Sequence, residues 1–171
     1  MRGYVHIYTG DGKGKTTAAL GLTLRAVGAG HKVFIGQFIK QGEFSEILLL
    51  RARFPEVTIA QFGRGCLIRG RPMPEDVALA RQGLQVLREA AASGCYGVVI
   101  ADEIHCAVSA GCLEVESVLD LIAARAESVE LILTGRSAHP RVLEQADLVT
   151  EMRAVKHYFN AGVAARTGIE M

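Results

Sequence analysis

A glycine-rich stretch with two lysines and three threonines near the amino terminus has the residue types that bind phosphate. It reads TGDGKGKTT, and its members are Thr9, Gly10, Asp11, Gly12, Lys13, Gly14, Lys15, Thr16 and Thr17. Its second half fits the P-loop pattern G-x-x-x-x-G-K-[ST], although Thr9 stands where that pattern has its first glycine. Alternate glycines let backbone N–H groups turn toward an anion, Lys15 supplies a positive charge, and the Thr16 hydroxyl can ligate Mg²⁺. We therefore predict that this loop binds the phosphates of a nucleoside triphosphate.

An acidic pair follows an apolar stretch farther along the chain. Residues 98–101 are Val, Val, Ile and Ala, and Asp102 and Glu103 come next. Ligands of open α/β sheets bind at the carboxyl ends of strands, and P-loop proteins usually hold their metal with a carboxylate there. Because adjacent side chains point in different directions, we expect one carboxylate to ligate Mg²⁺ (or Mn²⁺) and the other to hold water or cap a helix. Arg136 also follows an apolar stretch and is a further candidate for contact with the phosphates.

The elements that position these residues alternate between strand and helix patterns. Short apolar runs predict strands at residues 4–8, 32–38, 57–62, 97–101, 129–134 and 148–152. Helical patterns and their boundary residues predict helices at 16–29, 44–54, 74–93, 114–126 and 140–146. This alternation favours an α/β fold of three layers, with a mostly parallel six-stranded sheet between helices. The 171 residues fit a single domain over 1–171.

The net charge limits the classes of partner to be expected, and the cysteine spacing indicates the cellular compartment. The net charge is +1, so no overall attraction draws the chain to nucleic acid or acidic lipid. We expect neither nucleic acid nor a membrane as a partner, and no segment has the pattern of a signal peptide. The four cysteines form no CxxC pair, which favours reduced thiols in a cytoplasmic protein.

Several of these segments together resemble one known family. They are residues 9–17, the apolar and acidic run at 98–103, the tripeptide TGR at 134–136 and the ending VKHxFxxG at 155–162. They are similar to the P-loop type of ATP:corrinoid adenosyltransferase, also called cob(I)alamin or cob(I)yrinic acid a,c-diamide adenosyltransferase. The resemblance runs from Gly3 to Glu170, and threonine at position 9 is this family's own version of the loop. It implies a P-loop NTPase fold of RecA-like type and a homodimer.

The resemblance also implies a reaction and a set of roles. The 5′-deoxyadenosyl group of ATP passes to the cobalt of a reduced corrinoid, triphosphate leaves, and ATP lies reversed in the loop relative to hydrolases. An electron donor such as a flavoprotein reductase would supply Co(I). We assign Lys13, Lys15 and Thr16 to stabilising the leaving triphosphate. Glu103 is our first choice for the metal carboxylate, and Asp102 is the second.

One loop departs from the family pattern. Residues 63–74 hold three glycines, three arginines and two prolines, a composition typical of a long functional loop. The family covers the lower face of the corrin with aromatic residues from this region. Here Phe62 precedes the loop, while Cys66 and Ile68 stand at the aromatic positions, so we expect an apolar lid without aromatic bulk. The first strand begins close to Met1, so we expect no amino-terminal lid segment.

Two other classes of protein fit parts of the pattern. A nucleoside or nucleotide kinase would use the same P-loop, and the arginines of loop 63–74 could form its lid. A non-catalytic RecA-like module that senses ATP or binds nucleic acid would also carry the loop and the acidic pair. Release of ADP would identify the kinase, and product analysis would separate an enzyme from a module without turnover.

Overall fold

The computed structural model describes residues 2–65, 68 and 70–170. Its strands are β1 Val5–Thr9, β2 Val33–Ile39, β3 Val57–Gly63, β4 Val98–Asp102, β5 Glu130–Thr134 and β6 Leu148–Glu151. Its α-helices are α1 Lys15–Gly28, α2 Ser45–Arg53, α3 Pro74–Ser93, α4 Ile104–Ser109, α5 Val115–Ala124 and α6 Pro140–Leu143. A 3₁₀ helix follows at Tyr158–Ala161.

The six strands form one sheet in the order β3-β2-β4-β5-β1-β6. Every recorded pairing is parallel, so the carboxyl ends of the strands share one edge. The loop after β1 and the acidic pair after β4 therefore lie at that edge, separated by β5. Parallel sheets are normally covered by helices on both faces, and this one follows the rule.

Alternate residues of each strand pack into two separate cores. In β4, Val99 and Ala101 join the larger core, while Val98 and Ile100 join the smaller one on the opposite face. Helices α3, α4, α5 and α6 cover the larger core, and α1 and α2 cover the smaller. Helix α3 lies very close to β2, since a Cβ on Gly36 would meet the Leu87 side chain at 3.0 Å.

The predicted three-layer α/β fold with a six-stranded parallel sheet is confirmed. The six strands and five of the helices lie where the sequence predicted them, with boundaries that differ by up to three residues. Helix α4 was not predicted. Within residues 2–65, 68 and 70–170, no helix combines the length and the apolar character needed to cross a bilayer.

Candidate functional site: a phosphate-binding loop at the sheet edge

The loop between β1 and α1 is held against the chain that leaves β6. Gly12 N donates to Met152 O over 2.7 Å, and Gly10 has a φ of 95° beside that same carbonyl. A Cβ on Gly10 would lie 2.4 Å from Met152 O, so only glycine fits there. Gly14, with a φ of 121°, then leads into α1, whose first turn adds the positive end of a helix. The sequence thus folds into a strand–loop–helix geometry of the kind that is typical of phosphate-binding loops.

Lys15 lies across this loop. Its Nζ donates to Gly10 O over 2.6 Å and to Gly12 O over 2.8 Å, and only 7% of the residue is exposed. Burial lowers the pKa of the Lys15 ammonium, although nearby Glu103 opposes that shift. Desolvation strengthens the attraction between such a cation and a phosphate. Lys15 therefore lies within the glycine loop, and its contact with phosphate stays a prediction.

Asp102 is the most constrained carboxylate of the site. Its Oδ1 accepts from the Thr16 hydroxyl at 2.9 Å and from the Thr134 hydroxyl at 2.7 Å. Its Oδ2 accepts from Gln37 Nε2 at 3.1 Å and from Lys40 Nζ at 3.3 Å. Asp102 is 1% exposed, so these four partners replace water around the charge. The carboxylate therefore holds Thr16, at the start of α1, to the end of β4.

Glu103 turns the chain away from the sheet. Its φ is 62°, an unusual conformation for a residue other than glycine, and its N–H donates to Thr134 Oγ1 over 3.0 Å. Helix α4 begins at the next residue. The Glu103 carboxylate accepts from the Cys106 thiol at 2.7 Å and lies 3.5 Å from Lys40 Nζ. Burial, followed by the charge of Glu103, raises the pKa of the Cys106 thiol to about 12, so it remains protonated.

The donors that meet at this edge suit a hard divalent cation. They are the Thr16 hydroxyl and the carboxylates of Asp102 and Glu103, and Mg²⁺ prefers oxygen ligands. Among the residues that the structure describes, no group of three or more His, Cys, Asp or Glu side chains could hold a metal alone. Mg²⁺ commonly binds through one or two carboxylates together with substrate phosphates and water. The residues present therefore fit a nucleotide-bound Mg²⁺ better than a permanent metal centre.

Lys40 is a site residue that the sequence reasoning missed. Its Nζ lies 3.2 Å from Thr16 Oγ1, besides its contacts with Asp102 and Glu103. Burial lowers the pKa of Lys40, but the two carboxylates outweigh this effect and raise it overall. Lys40 follows β2 directly, and its position at a strand's carboxyl end was the signal that could have identified it.

Lys13 does not cross the loop as Lys15 does. Its Nζ donates to the Tyr158 hydroxyl at 3.1 Å, to Ile169 O at 2.9 Å and to Glu170 Oε1 at 2.9 Å. Arg166 and Tyr158 also hydrogen-bond to Glu170. The carboxyl-terminal segment thus returns to the P-loop and engages the lysine that the sequence assigned to phosphate.

A cavity of about 720 Å³ lies over these groups. The P-loop, the start of α1, the segment after β2 and the carboxyl-terminal segment line it. Arg136 lies at its wall and is exposed, while its backbone N–H donates to Cys106 Sγ at 3.3 Å. The volume is large enough for a nucleotide, since ligand pockets commonly measure about 300–1,000 Å³.

The predicted lid residues have different surroundings. Phe62 is 7% exposed and packs in the larger core, with its ring centroid 6.0 Å from that of Phe38. Ile68 is half-buried against the same core. Cys66 lies outside the described residues. The corrinoid lid stays a prediction.

The parallel sheet, the glycine loop leading into α1 and the acidic pair across β5 define a P-loop nucleotide-binding protein. Over residues 1–171 the chain matches the family described as ATP:corrinoid adenosyltransferase BtuR/CobO/CobP. It therefore belongs to that family, as the sequence resemblance indicated.

Three curated relatives agree with this assignment. The chain is 38% identical to the corrinoid adenosyltransferase of Pseudomonas aeruginosa, over 99% of this chain and 84% of that protein. It is 38% identical to the corrinoid adenosyltransferase of Escherichia coli strain K12, over 99% of this chain and 86% of that protein. It is 37% identical to the corrinoid adenosyltransferase CobA of Salmonella typhimurium, over 99% and 86% respectively.

Proposed function

We propose that this chain transfers the 5′-deoxyadenosyl group of ATP to the cobalt of a Co(I) corrinoid and releases triphosphate. The reaction is inferred from the family to which the chain belongs. The observation that places it at these residues is the hydrogen bond that Thr16 of the P-loop donates to Asp102 at the end of β4. The electron pair of Co(I) forms the bond to C5′ of the ribose, and the C5′–O bond breaks. Its electron pair leaves on the triphosphate oxygen. Co(I) is itself the nucleophile, so the protein supplies alignment and charge stabilisation rather than a base.

The loop residues and the acidic pair have distinct roles in this proposal. Lys15 and the loop amides stabilise the negative charge that grows on triphosphate. Asp102 has both oxygens occupied by protein donors, so it orients the Thr16 hydroxyl. The Glu103 side chain is more exposed than that of Asp102 and would hold Mg²⁺ directly. When bound there, Mg²⁺ (or Mn²⁺) would neutralise part of the triphosphate charge.

Lys13 and Arg136 complete the phosphate site from its rim. Lys13 must exchange its contact with Glu170 for a contact with the nucleotide, because the carboxylate and the phosphates would bind the same ammonium group. Arg136 is exposed at the cavity wall and can turn toward the phosphates without breaking a buried contact. Thr9, Asp11 and Thr17 are part of the loop and shape its backbone.

The corrinoid would lie against the loop after β3, with Ile68 as an apolar plug below the cobalt. Removing a lower axial ligand makes Co(II) easier to reduce, so Ile68→Asp should impair turnover from Co(II) far more than from chemically prepared Co(I). Ile68→Trp should be tolerated. Because Ile68 also packs on the core, the melting temperature of each variant is measured as a control. If Ile68→Asp leaves turnover from Co(II) intact, this loop is not the lid.

The electron donor, the oligomeric state and the location are proposed from the family. A flavoprotein reductase or another one-electron donor supplies Co(I), the protein works as a homodimer, and it works in the cytoplasm. Each is a proposal that rests on the family.

One incubation tests the central proposal. The protein is mixed with ATP, Mg²⁺ and chemically reduced cobalamin, and the light-sensitive carbon–cobalt product is followed by absorbance. Phosphorus NMR of a single turnover should reveal triphosphate as the first product. Stoichiometric ADP would instead identify a kinase, and binding of ATP without any product would identify a non-catalytic module.

A further inference from the structure

The ammonium of Lys40 lies among the oxygens proposed to hold the metal. Its Nζ is 3.2 Å from Thr16 Oγ1, 3.3 Å from Asp102 Oδ2 and 3.5 Å from Glu103 Oε1. Glu103 and Thr16 are the groups proposed to hold Mg²⁺, and Asp102 orients Thr16. A lysine in a P-loop site usually contacts phosphate, whereas this one contacts the acidic pair.

The backbone holds Lys40 there through an uncommon turn. Ile39 has a φ of 64°, and Lys40 N donates to Phe38 O over 2.6 Å, which closes a tight three-residue turn. A positive φ is costly for a β-branched residue, and such strained positions concentrate at functional sites. The turn reverses the chain at the end of β2, where Lys40 meets the end of β4.

A chain of side-chain amides fixes the segment that follows. Gln61 Nε2 donates to Gln37 Oε1 over 3.0 Å and to Gly42 O over 3.1 Å. Gln37 in turn donates to Asp102. The segment from Lys40 to Gly42 is therefore tied to the same carboxylate that Lys40 contacts, and its position is not a chance surface contact.

We propose that Lys40 is an internal cation that competes with Mg²⁺ for the oxygens of Glu103 and Thr16, and that Asp102 helps to hold it there. The inference rests on the proposed function, because it deepens the metal site described there. Two positive charges cannot share these oxygens at 3–4 Å without strong repulsion, so the ammonium moves away when the metal binds. Lys40 lines the same cavity as Lys15, and the triphosphate is the anion it then meets.

This exchange couples metal binding to nucleotide binding. Mg²⁺ alone must displace Lys40 without offering it a new partner, whereas Mg²⁺ with ATP offers the triphosphate. The protein should therefore bind free metal weakly and the metal–nucleotide complex well. Coupling of this kind is reciprocal, so ATP raises the affinity for metal by the same factor that metal raises the affinity for ATP.

Binding of Mn²⁺ to the nucleotide-free protein, measured by electron paramagnetic resonance, tests the proposal without any turnover. Lys40→Met removes the charge and keeps the apolar stem, and it should bind Mn²⁺ at least tenfold more tightly than the unaltered protein. Lys40→Arg keeps the charge and should leave the affinity nearly unchanged. Lys32→Met, which removes an exposed lysine before β2, is the matched control and should also show no change.

The affinity for ATP with Mg²⁺ should move in the opposite direction. Lys40→Met should weaken this affinity several-fold, because the triphosphate loses a cationic partner. A purely structural role for Lys40 would not make Mn²⁺ binding tighter and ATP binding weaker in the same variant. If the Lys40→Met variant binds Mn²⁺ no more tightly than the unaltered protein does, the proposal is wrong.

A second substitution separates that failure from failure of the proposed metal site. Glu103→Gln in the Lys40→Met background should abolish the gain in Mn²⁺ affinity, because Glu103 is the proposed direct ligand. If the gain persists, Mn²⁺ binds elsewhere, and both the competition and the metal assignment are wrong. If Glu103→Gln weakens Mn²⁺ binding while Lys40→Met has no effect, the metal assignment stands and only the role of Lys40 is overturned.

Discussion

Thr134 offers a test of how the acidic pair is held. Its hydroxyl donates to Asp102 Oδ1 over 2.7 Å and accepts from Glu103 N over 3.0 Å, and the residue is 0% exposed. Thr134→Val replaces the hydroxyl with a methyl group of nearly the same size. No cavity forms, so the change isolates the two hydrogen bonds.

The expected loss of stability is large. A hydrogen bond to a charged group contributes about 1.5–3 kcal/mol, and a buried N–H left without a partner costs about 1–3 kcal/mol. Their sum, about 2.5–6 kcal/mol, is a large fraction of the roughly 5–15 kcal/mol that stabilises a typical domain. For a chain of this length, the melting temperature should fall by about 10 °C.

Thr134→Ser is the matched control, because it keeps the hydroxyl and removes the methyl group. It should cost only about 1 kcal/mol. Both variants are compared with the unaltered protein by urea unfolding and by calorimetry. If Thr134→Ser proves the more destabilised of the two, the methyl contact outweighs the hydrogen bonds, and the reasoning about Asp102 and Glu103 fails.

Other predictions follow from single contacts. Lys15→Met should slow adenosyl transfer about 100-fold or more, measured at saturating ATP, and an unchanged rate would remove Lys15 from the phosphate site. Gly83→Ala should destabilise the protein by about 1–3 kcal/mol in urea unfolding, because its Cβ would meet the Phe62 ring at 2.5 Å. Gly21→Ala, also within a helix but with nothing within 4 Å, should instead stabilise by about 0.5–1 kcal/mol; equal effects of the two changes would contradict the packing described for α3. Arg166, Tyr158 and Lys13 hold the pKa of Glu170 below its ordinary 4.5, so the carboxyl-terminal contact is fully formed above about pH 4.5 and weakens as the pH falls below it. Hydrogen exchange of residues 156–170 should show this loss of protection, and Glu170→Gln should abolish the dependence on pH; an identical profile in that variant would assign the loss to other groups.

Local patterns predicted the parts of the fold that depend on near neighbours. The apolar run before Asp102 is a strand because its alternate residues reach two cores, and the run alone indicates burial on both faces. The glycines after β1 needed no knowledge of the rest of the chain to predict a phosphate loop. The position of Asp102 and Glu103 at a strand end followed from the same reasoning.

Contacts between distant segments were not predictable in this way. Lys40 contacts Asp102 only because β2 and β4 are neighbours in the sheet, and no local sequence pattern reveals the order of the strands. Helix α4 begins immediately after Glu103 because that residue adopts a positive φ, which its residue type does not favour. Lys13 and Glu170 are 157 positions apart, and no local pattern joins them.

The place of β1 in the sheet has a consequence for how the protein is made. The glycine loop is synthesised before both neighbours of its strand, since β5 begins at Glu130 and β6 at Leu148, far along the chain from β1. Synthesis proceeds at about 5–20 residues per second, so β1 waits several seconds with both edges unpaired. Exposed strand edges invite pairing with other chains. The loop and its strand therefore lack their native support until β5 has been made, and slow synthesis should increase the tendency of the nascent chain to aggregate.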